Sequence, residues 1–284
     1  MKKDLPSATA DRVALLRAVH QLLDDPPVLK DPLALQIIGE ETSSLLSADP
    51  HRFVATPISS YVRAFVAARS RIAEDELANG VALGVRQYVI LGAGLDTFAY
   101  RSPYPEGTVK VFEVDHPATQ TYKRERLEEA GIETSPDVRF VPIDFEKQTL
   151  SDGLAAADCA FNVPTLFSWL GVTYYLPAEV VTETMRFVAT FPRESGIVFD
   201  YNISPKLMTL LGRVVFYALS GWVSAVGEAW RTSFDPGLLA EDIRGMGFGR
   251  VRDWTPDEIN AHYFAGREDK LSVGSISHVM CARV

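Results

Sequence analysis

The chain has 284 residues, 47% hydrophobic and 23% charged, the proportions of a globular protein with a core of its own. A formal net charge of −9, with no dense Lys/Arg run, excludes a general nucleic-acid binder, because phosphate recognition needs a basic field. The most apolar helical stretch, 207–226, is broken by Gly212, Arg213, Ser220 and Gly221 and falls short of the roughly 20 apolar residues that span a bilayer, so no membrane partner is expected.

Met1-Lys2-Lys3-Asp4-Leu5-Pro6 is not followed by an apolar run, so no signal peptide is expected and a cytoplasmic location is. Cys159 and Cys281 lie far apart in apolar surroundings and read as two buried thiols of a reducing compartment. Residues 1–84 read as a helical extension. Val13, Leu16, Val19 and Leu23 recur at helical intervals until Asp24-Asp25-Pro26-Pro27 stops them. A second helix opens at Asp31-Pro32, and a third spans about 58–80 with Gly80 as its stop.

From Val85 the pattern changes to short apolar runs alternating with helices. Tyr88-Val89-Ile90-Leu91, then 109–115, 138–144, 165–172 and 197–201, predict parallel strands, with helices over 119–130 and 177–190. Two last strands are expected at 250–254 and 278–284. The insertion 204–230 is helical and rich in aromatics (Phe216, Tyr217, Trp222, Trp230), which suits either a packing helix or a lid over an apolar substrate pocket. The whole chain, 1–284, reads as one doubly wound α/β domain.

The candidate site sits at strand ends. Leu91-Gly92-Ala93-Gly94-Leu95-Asp96-Thr97 closes the first strand with glycines that permit a tight turn and close approach of a ligand. Thr97 stands where a dinucleotide fingerprint has its third glycine, which disfavours a pyrophosphate and suits a cofactor without phosphates. Glu113 and Asp115 end the second strand, where a carboxylate can accept both hydroxyls of an adenosine ribose. Asp144 ends the third and can take an adenine amino group while Phe145 packs on the ring. Each acid alone could equally be a helix cap. Three of them at the carboxyl ends of consecutive strands point to a ligand.

These residues carry a family resemblance. Val89-Ile90-Leu91-Gly92-Ala93-Gly94-Leu95-Asp96-Thr97-Phe98, Phe112-Glu113-Val114-Asp115-His116-Pro117 and Phe167-Ser168-Trp169-Leu170-Gly171-Val172-Thr173-Tyr174-Tyr175-Leu176 resemble the leucine carboxyl methyltransferase family, in its bacterial branch of small-molecule O-methyltransferases. Arg17-Ala18-Val19-His20, Ala68-Arg69-Ser70-Arg71 and the stretch 227–236 fit as well. The resemblance implies a Rossmann-like, seven-stranded class I methyltransferase sheet whose last strand is antiparallel, and S-adenosyl-L-methionine as cofactor. It implies that Gly92, Ala93 and Gly94 shape the cofactor loop, that Asp115 holds the ribose and that Asp144 with Phe145 frames the adenine. It implies that Arg69 pairs with the methionine carboxylate, with Arg17 near a second basic position. Leu170 departs from the family, whose eukaryotic members carry a Glu there.

Methyl transfer needs mainly positioning. A carboxylate acceptor needs no general base, whereas a hydroxyl usually does. The five histidines are scattered, so no catalytic residue is assigned, and no metal is expected. Tyr174, Tyr175 and Tyr201 lie beyond strand ends, with Tyr174 and Tyr201 the candidate substrate-facing residues, and the acceptor expected is a small apolar, polyketide-like carboxylate or alcohol. Two other readings share the motifs: a non-catalytic S-adenosylmethionine-binding protein, which Leu170 favours, and a nicotinamide-dependent oxidoreductase. The latter is opposed by Thr97 and by the lack of a Tyr-x-x-x-Lys pair.

Overall fold

A computed structural model describes residues 8–53, 56–145, 147–225 and 229–284. Residues 1–6, Gly227-Glu228 of the family-like stretch and the side chain of Trp222 lie outside the described residues. Four helices come first: α1 (Ala8–Leu23), α2 (Ala34–Ile37), α3 (Glu40–Ala48) and α4 (Pro57–Ala82). The helix expected from Asp31-Pro32 is thus two short ones parted at Gly39, whose φ of 84° no helix accommodates. Helix α4 runs through Gly80, because Thr56 and Ser59 fix its start in a capping box and the chain first turns left-handed at Gly84, φ 104°.

The strands follow: β1 (Gln87–Leu91), β2 (Lys110–Asp115), then α5 (Pro117–Glu129), β3 (Val138–Pro142), α6 (Leu150–Ala156), β4 (Thr165–Trp169), α7 (Ala178–Val188) and β5 (Gly196–Asn202). After β5 come α8 (Leu210–Ala225), α9 (Pro236–Gly245), β6 (Arg250–Trp254), α10 (Pro256–Tyr263) and β7 (Ser277–Arg283). The seven strands stand in the order β3-β2-β1-β4-β5-β7-β6, with β7 antiparallel to both of its neighbours. Among the described residues no helix is long and apolar enough to cross a membrane.

The period-two alternation of buried strands gives the sheet two packed faces. Val89, Leu91, Phe112, Phe199 and Tyr201 pack on one face with Val181 and Met185 of α7 and Ile243 of α9. Tyr88, Ile90, Val111 and Val198 pack on the other with Ala68, Ile72 and Leu77 of α4. A third cluster joins α1, α2 and α4 through Val19, Ile37 and Val66 to Leu95 of the glycine loop. The helical extension therefore packs directly on the carboxyl ends of the strands, where ligands bind in open α/β sheets.

Candidate active site

At the end of β1 the chain folds over β2, with Gly92 and Ala93 N–H both donating to Val114 O at 2.8 and 3.1 Å. Gly92 has a φ of 68°, and a Cβ there would stand 2.5 Å from Val172 Cγ2, so only glycine fits. Gly94 N–H donates to Asp115 Oδ2 at 2.6 Å, and His116 N–H donates to Oδ1 at 2.7 Å. Asp115 thus fastens the glycine turn to β2. Burial raises its carboxyl above the ordinary value, and the two N–H donors oppose the rise. His116 caps α5, its Nδ1 accepting from Ala118 N–H at 3.3 Å. Glu113 takes no part: it is wholly buried in an ion pair with Lys123 at 2.7 Å and accepts from Tyr100 Oη–H at 2.8 Å.

No α-helix follows the glycine loop, only a 3-10 turn, Phe98–Tyr100, so the helix N-terminus that a pyrophosphate uses is missing. Thr97 has another task. Its Oγ1–H donates at 2.6 Å to Asp31, a fully buried carboxylate also 3.3 Å from both Arg17 and Arg101. The loop is thereby tied to the helical extension.

These elements enclose a cavity of about 480 Å3, within the usual range of small-molecule sites, about 300–1,000 Å3. Gly92, Ala93, Gly94, Asp96 and Asp115 line it, together with Arg17, Arg69, Arg231 and Leu170. Ala10, Val13 and Arg17 of α1 form one wall, at a spacing of three and four residues that places them on one helix face. Burial alone would raise the Asp96 carboxyl, but the nearby cations Arg17, Lys123 and Arg101 outweigh it and hold the group below its ordinary value.

Arg69, on the buried side of α4, donates from Nη1 to Asp200 Oδ2 at 2.6 Å and to Tyr174 Oη at 3.1 Å. Asp200 Oδ1 accepts from Gly171 N–H at 2.6 Å. Gly171 has a φ of 79°, and a Cβ on it would come within 2.8 Å of Arg69 Nη2, so the missing side chain makes room for the guanidinium. Arg69 Nε is buried without a partner. Burial works against its charge, and Asp200 and Tyr174 more than restore it.

Arg69 also lines a second cavity of about 650 Å3, and Thr9, Val13 and Tyr175 are common to the two. Tyr174 and Trp230 face the second cavity, as do Leu211, Val215 and Leu219 of α8. Phe216 of the same helix turns to the core and packs on Trp230, ring centres 5.1 Å apart. Helix α8 is therefore a packing element along one edge and a cavity wall along another.

Of the residues expected at the site, Arg69, Gly92, Ala93, Gly94 and Asp115 converge on the first cavity, and Tyr174 on the second. Asp144 and Phe145 do not line either. Asp144 pairs with Lys147 at 2.7 Å, and Phe145 is 64% exposed. They follow Ile143, whose N–H donates to the Asp115 carbonyl at 2.9 Å. Tyr201 requires correction: it is fully buried on the opposite face of the sheet, its Oη–H donating to Asp253 at 3.0 Å, so it does not face an acceptor. Its neighbours Asp200 and Asn202 take the cavity side, as strand alternation dictates. Sequence reasoning did not place Asp96, Asp200 or Asn202 at the site, named Trp230 only among the aromatics of the insertion and, apart from Arg17, missed the α1 wall. The 10-13-17 spacing was the available signal for the last.

The sheet order and the ligand-sized cavity at the strand ends define a class I methyltransferase fold, and a solved structure of a provisionally named methyltransferase from Thermobifida fusca YX shares it. That structure has a TM-score of 0.58 at 15% identity, with 99% of this chain and 96% of that one covered. Residues 10–189 match the family described as leucine carboxyl methyltransferase. YktD of Bacillus subtilis (strain 168), provisionally named an S-adenosyl-L-methionine-dependent methyltransferase, is 33% identical, with 99% of each chain covered. A similarly named protein of Mycolicibacterium smegmatis (strain ATCC 700084 / mc(2)155) is 31% identical, covering 97% of this chain and 95% of its own. The chain belongs to the leucine carboxyl methyltransferase family.

Proposed function

We propose that this S-adenosyl-L-methionine-dependent methyltransferase esterifies a small, apolar, polyketide-like carboxylic acid. The observation that carries the reading is the meeting of the two cavities at Thr9, Val13, Arg69 and Tyr175, which sets a cofactor chamber against an acceptor chamber. The groups lining the first fit the cofactor. Asp115 has lone pairs left for the ribose hydroxyls, and Arg69 and Arg17 are cations for the methionine carboxylate. Asp96, held ionised, supplies the anion for the methionine ammonium that Leu170 does not. The adenine is assigned to Asp144 and to the exposed Phe145 ring, which it would cover.

The bound cofactor supplies a methyl group on a sulfonium, which an acceptor oxygen takes by in-line displacement as the carbon–sulfur bond breaks and its electron pair passes to sulfur. The protein's part is to hold the two reactants together and keep water out. Among the described residues lining the second cavity there is no His, Lys, Cys, Asp or Glu. Burial, then the neighbouring Asp200 carboxylate, raises the Tyr174 hydroxyl well above its ordinary value, so it stays protonated at neutral pH. A site without a base suits an acceptor that is already ionised, and Arg12 and Arg69 are the charged groups of the wall.

The test is methyl transfer from labelled S-adenosylmethionine to matched acids and alcohols, decanoic acid against decanol. Methyl ester from the acid, with no ether from the alcohol, is the expected outcome. Ether alone would contradict the reading.

A further inference from the structure

Two hydrogen-bond donors at the acceptor cavity have no partner. Asn202 is 1% exposed and lines the cavity, yet its Nδ2 bonds to nothing. Trp230 lines the same cavity, and its Nε1–H is buried and unbonded. Buried polar groups are paired in the great majority of cases, and leaving one unpaired is costly, so two together call for a ligand.

Neither side chain can readily turn away to find a partner. Asn202 Oδ1 accepts from Ser277 Oγ–H at 2.7 Å, and its backbone carbonyl accepts from Phe234 N–H at 2.9 Å. The Trp230 ring is wedged between Phe216 and Tyr174, with centroids 5.1 and 5.7 Å away, and the next residue's N–H donates to Tyr174 O at 2.7 Å. The two residues come from different parts of the chain, the end of β5 and the segment after α8, and line one chamber.

We propose that Asn202 and Trp230 form an anchor for a carbonyl oxygen of the methyl acceptor, remote from the carboxylate that is methylated. This rests on the carboxylate-methylating reading above. Asn202 lies two residues beyond Asp200 on the same face of β5, roughly 6–7 Å along the strand at about 3.3 Å per residue. Asp200 holds Arg69, which borders the cofactor cavity. The anchored oxygen is therefore several bonds from the reacting one, and the substrate class is an apolar oxo-acid. The other lining groups agree: α8 gives Leu211, Val215 and Leu219 for the hydrocarbon, and no acid among the described residues opposes an anion.

The probes are 5-oxodecanoic acid and decanoic acid, titrated by calorimetry into protein saturated with S-adenosylhomocysteine. Wild type is expected to bind the oxo-acid about 10-fold more tightly, as two neutral hydrogen bonds would give. Trp230→Phe, which keeps the ring packing, and Asn202→Leu should each remove about 3-fold or more of that preference without changing S-adenosylhomocysteine affinity. An oxo-acid with no advantage, or an advantage intact in both variants, overturns the anchor while the methyltransferase reading stands. If S-adenosylhomocysteine itself does not bind wild type, that reading falls and the anchor with it.

Discussion

Arg69 Nη1 and Asp200 Oδ2 stand 2.6 Å apart with both side chains out of solvent, joining the long helix of the extension to the fifth strand at the border of the two cavities. The pair holds a permanent cation beside both chambers and fixes where it points. Breaking a buried pair from one side leaves the other charge uncompensated, which costs about 3–5 kcal/mol. Asp200→Ala should lose stability on that scale in urea unfolding, and S-adenosylhomocysteine affinity should fall with it. A loss below about 1 kcal/mol would mean that Arg69 finds another partner.

Gly92 is constrained twice, by a left-handed φ of 68° and by Val172 Cγ2, which would lie 2.5 Å from any Cβ placed on it. The φ alone costs a side chain about 1–2 kcal/mol. Gly92→Ala should therefore unfold at a lower urea concentration and weaken cofactor binding more than tenfold. Adding Val172→Ala should recover part of both losses. No recovery would place the fault in the backbone alone.

Asp24 gives a pH signature. Burial pushes its carboxyl up, but His20 at 2.6 Å and Arg63 at 2.8 Å outweigh that and hold it below its ordinary 3.8. A depressed carboxyl contributes stability that is fully present above the unfolded value and is lost as pH falls through the folded one. Below about pH 3.8, wild type should therefore lose stability more steeply than Asp24→Asn, by up to about 1.4 kcal/mol per pH unit. Parallel curves in that window would refute the assignment.

The wall of the second cavity can be filled without touching the first. Val215 lines the second cavity and not the first. Val215→Trp should raise KM for an apolar acid tenfold or more while calorimetric binding of S-adenosylhomocysteine stays unchanged. Equal losses in both would show that α8 supports the first cavity too.

The fold was legible in the sequence because strand ends, glycine turns and acids repeat at intervals that only parallel βαβ units produce. Strand 250–254 matches β6 residue for residue. What escaped depended on which side of an element a residue faces. Tyr201 stands near the end of β5, where a site residue is expected, but alternation turns it into the core, gives the cavity to Asn202 and sets Asp200 against Arg69. The extension reads as a preface, since helical spacing shows a buried face without saying what it covers. Here Ala10, Val13 and Arg17 cover the first cavity. Asp96 is in plain view within the glycine motif, yet its charge is decided by Arg17, Lys123 and Arg101, two of them distant in sequence. The helix of 204–230 leaves packing and lid open as alternatives, and α8 packs along one edge and lines a cavity along another.

The most direct test of the account is calorimetric titration of the purified protein with S-adenosylmethionine, S-adenosylhomocysteine and NADH, repeated on Asp115→Ala. Micromolar binding of both sulfur compounds, lost in the variant, and no binding of NADH are expected. Silence for both sulfur compounds, or binding of NADH in their place, would contradict it.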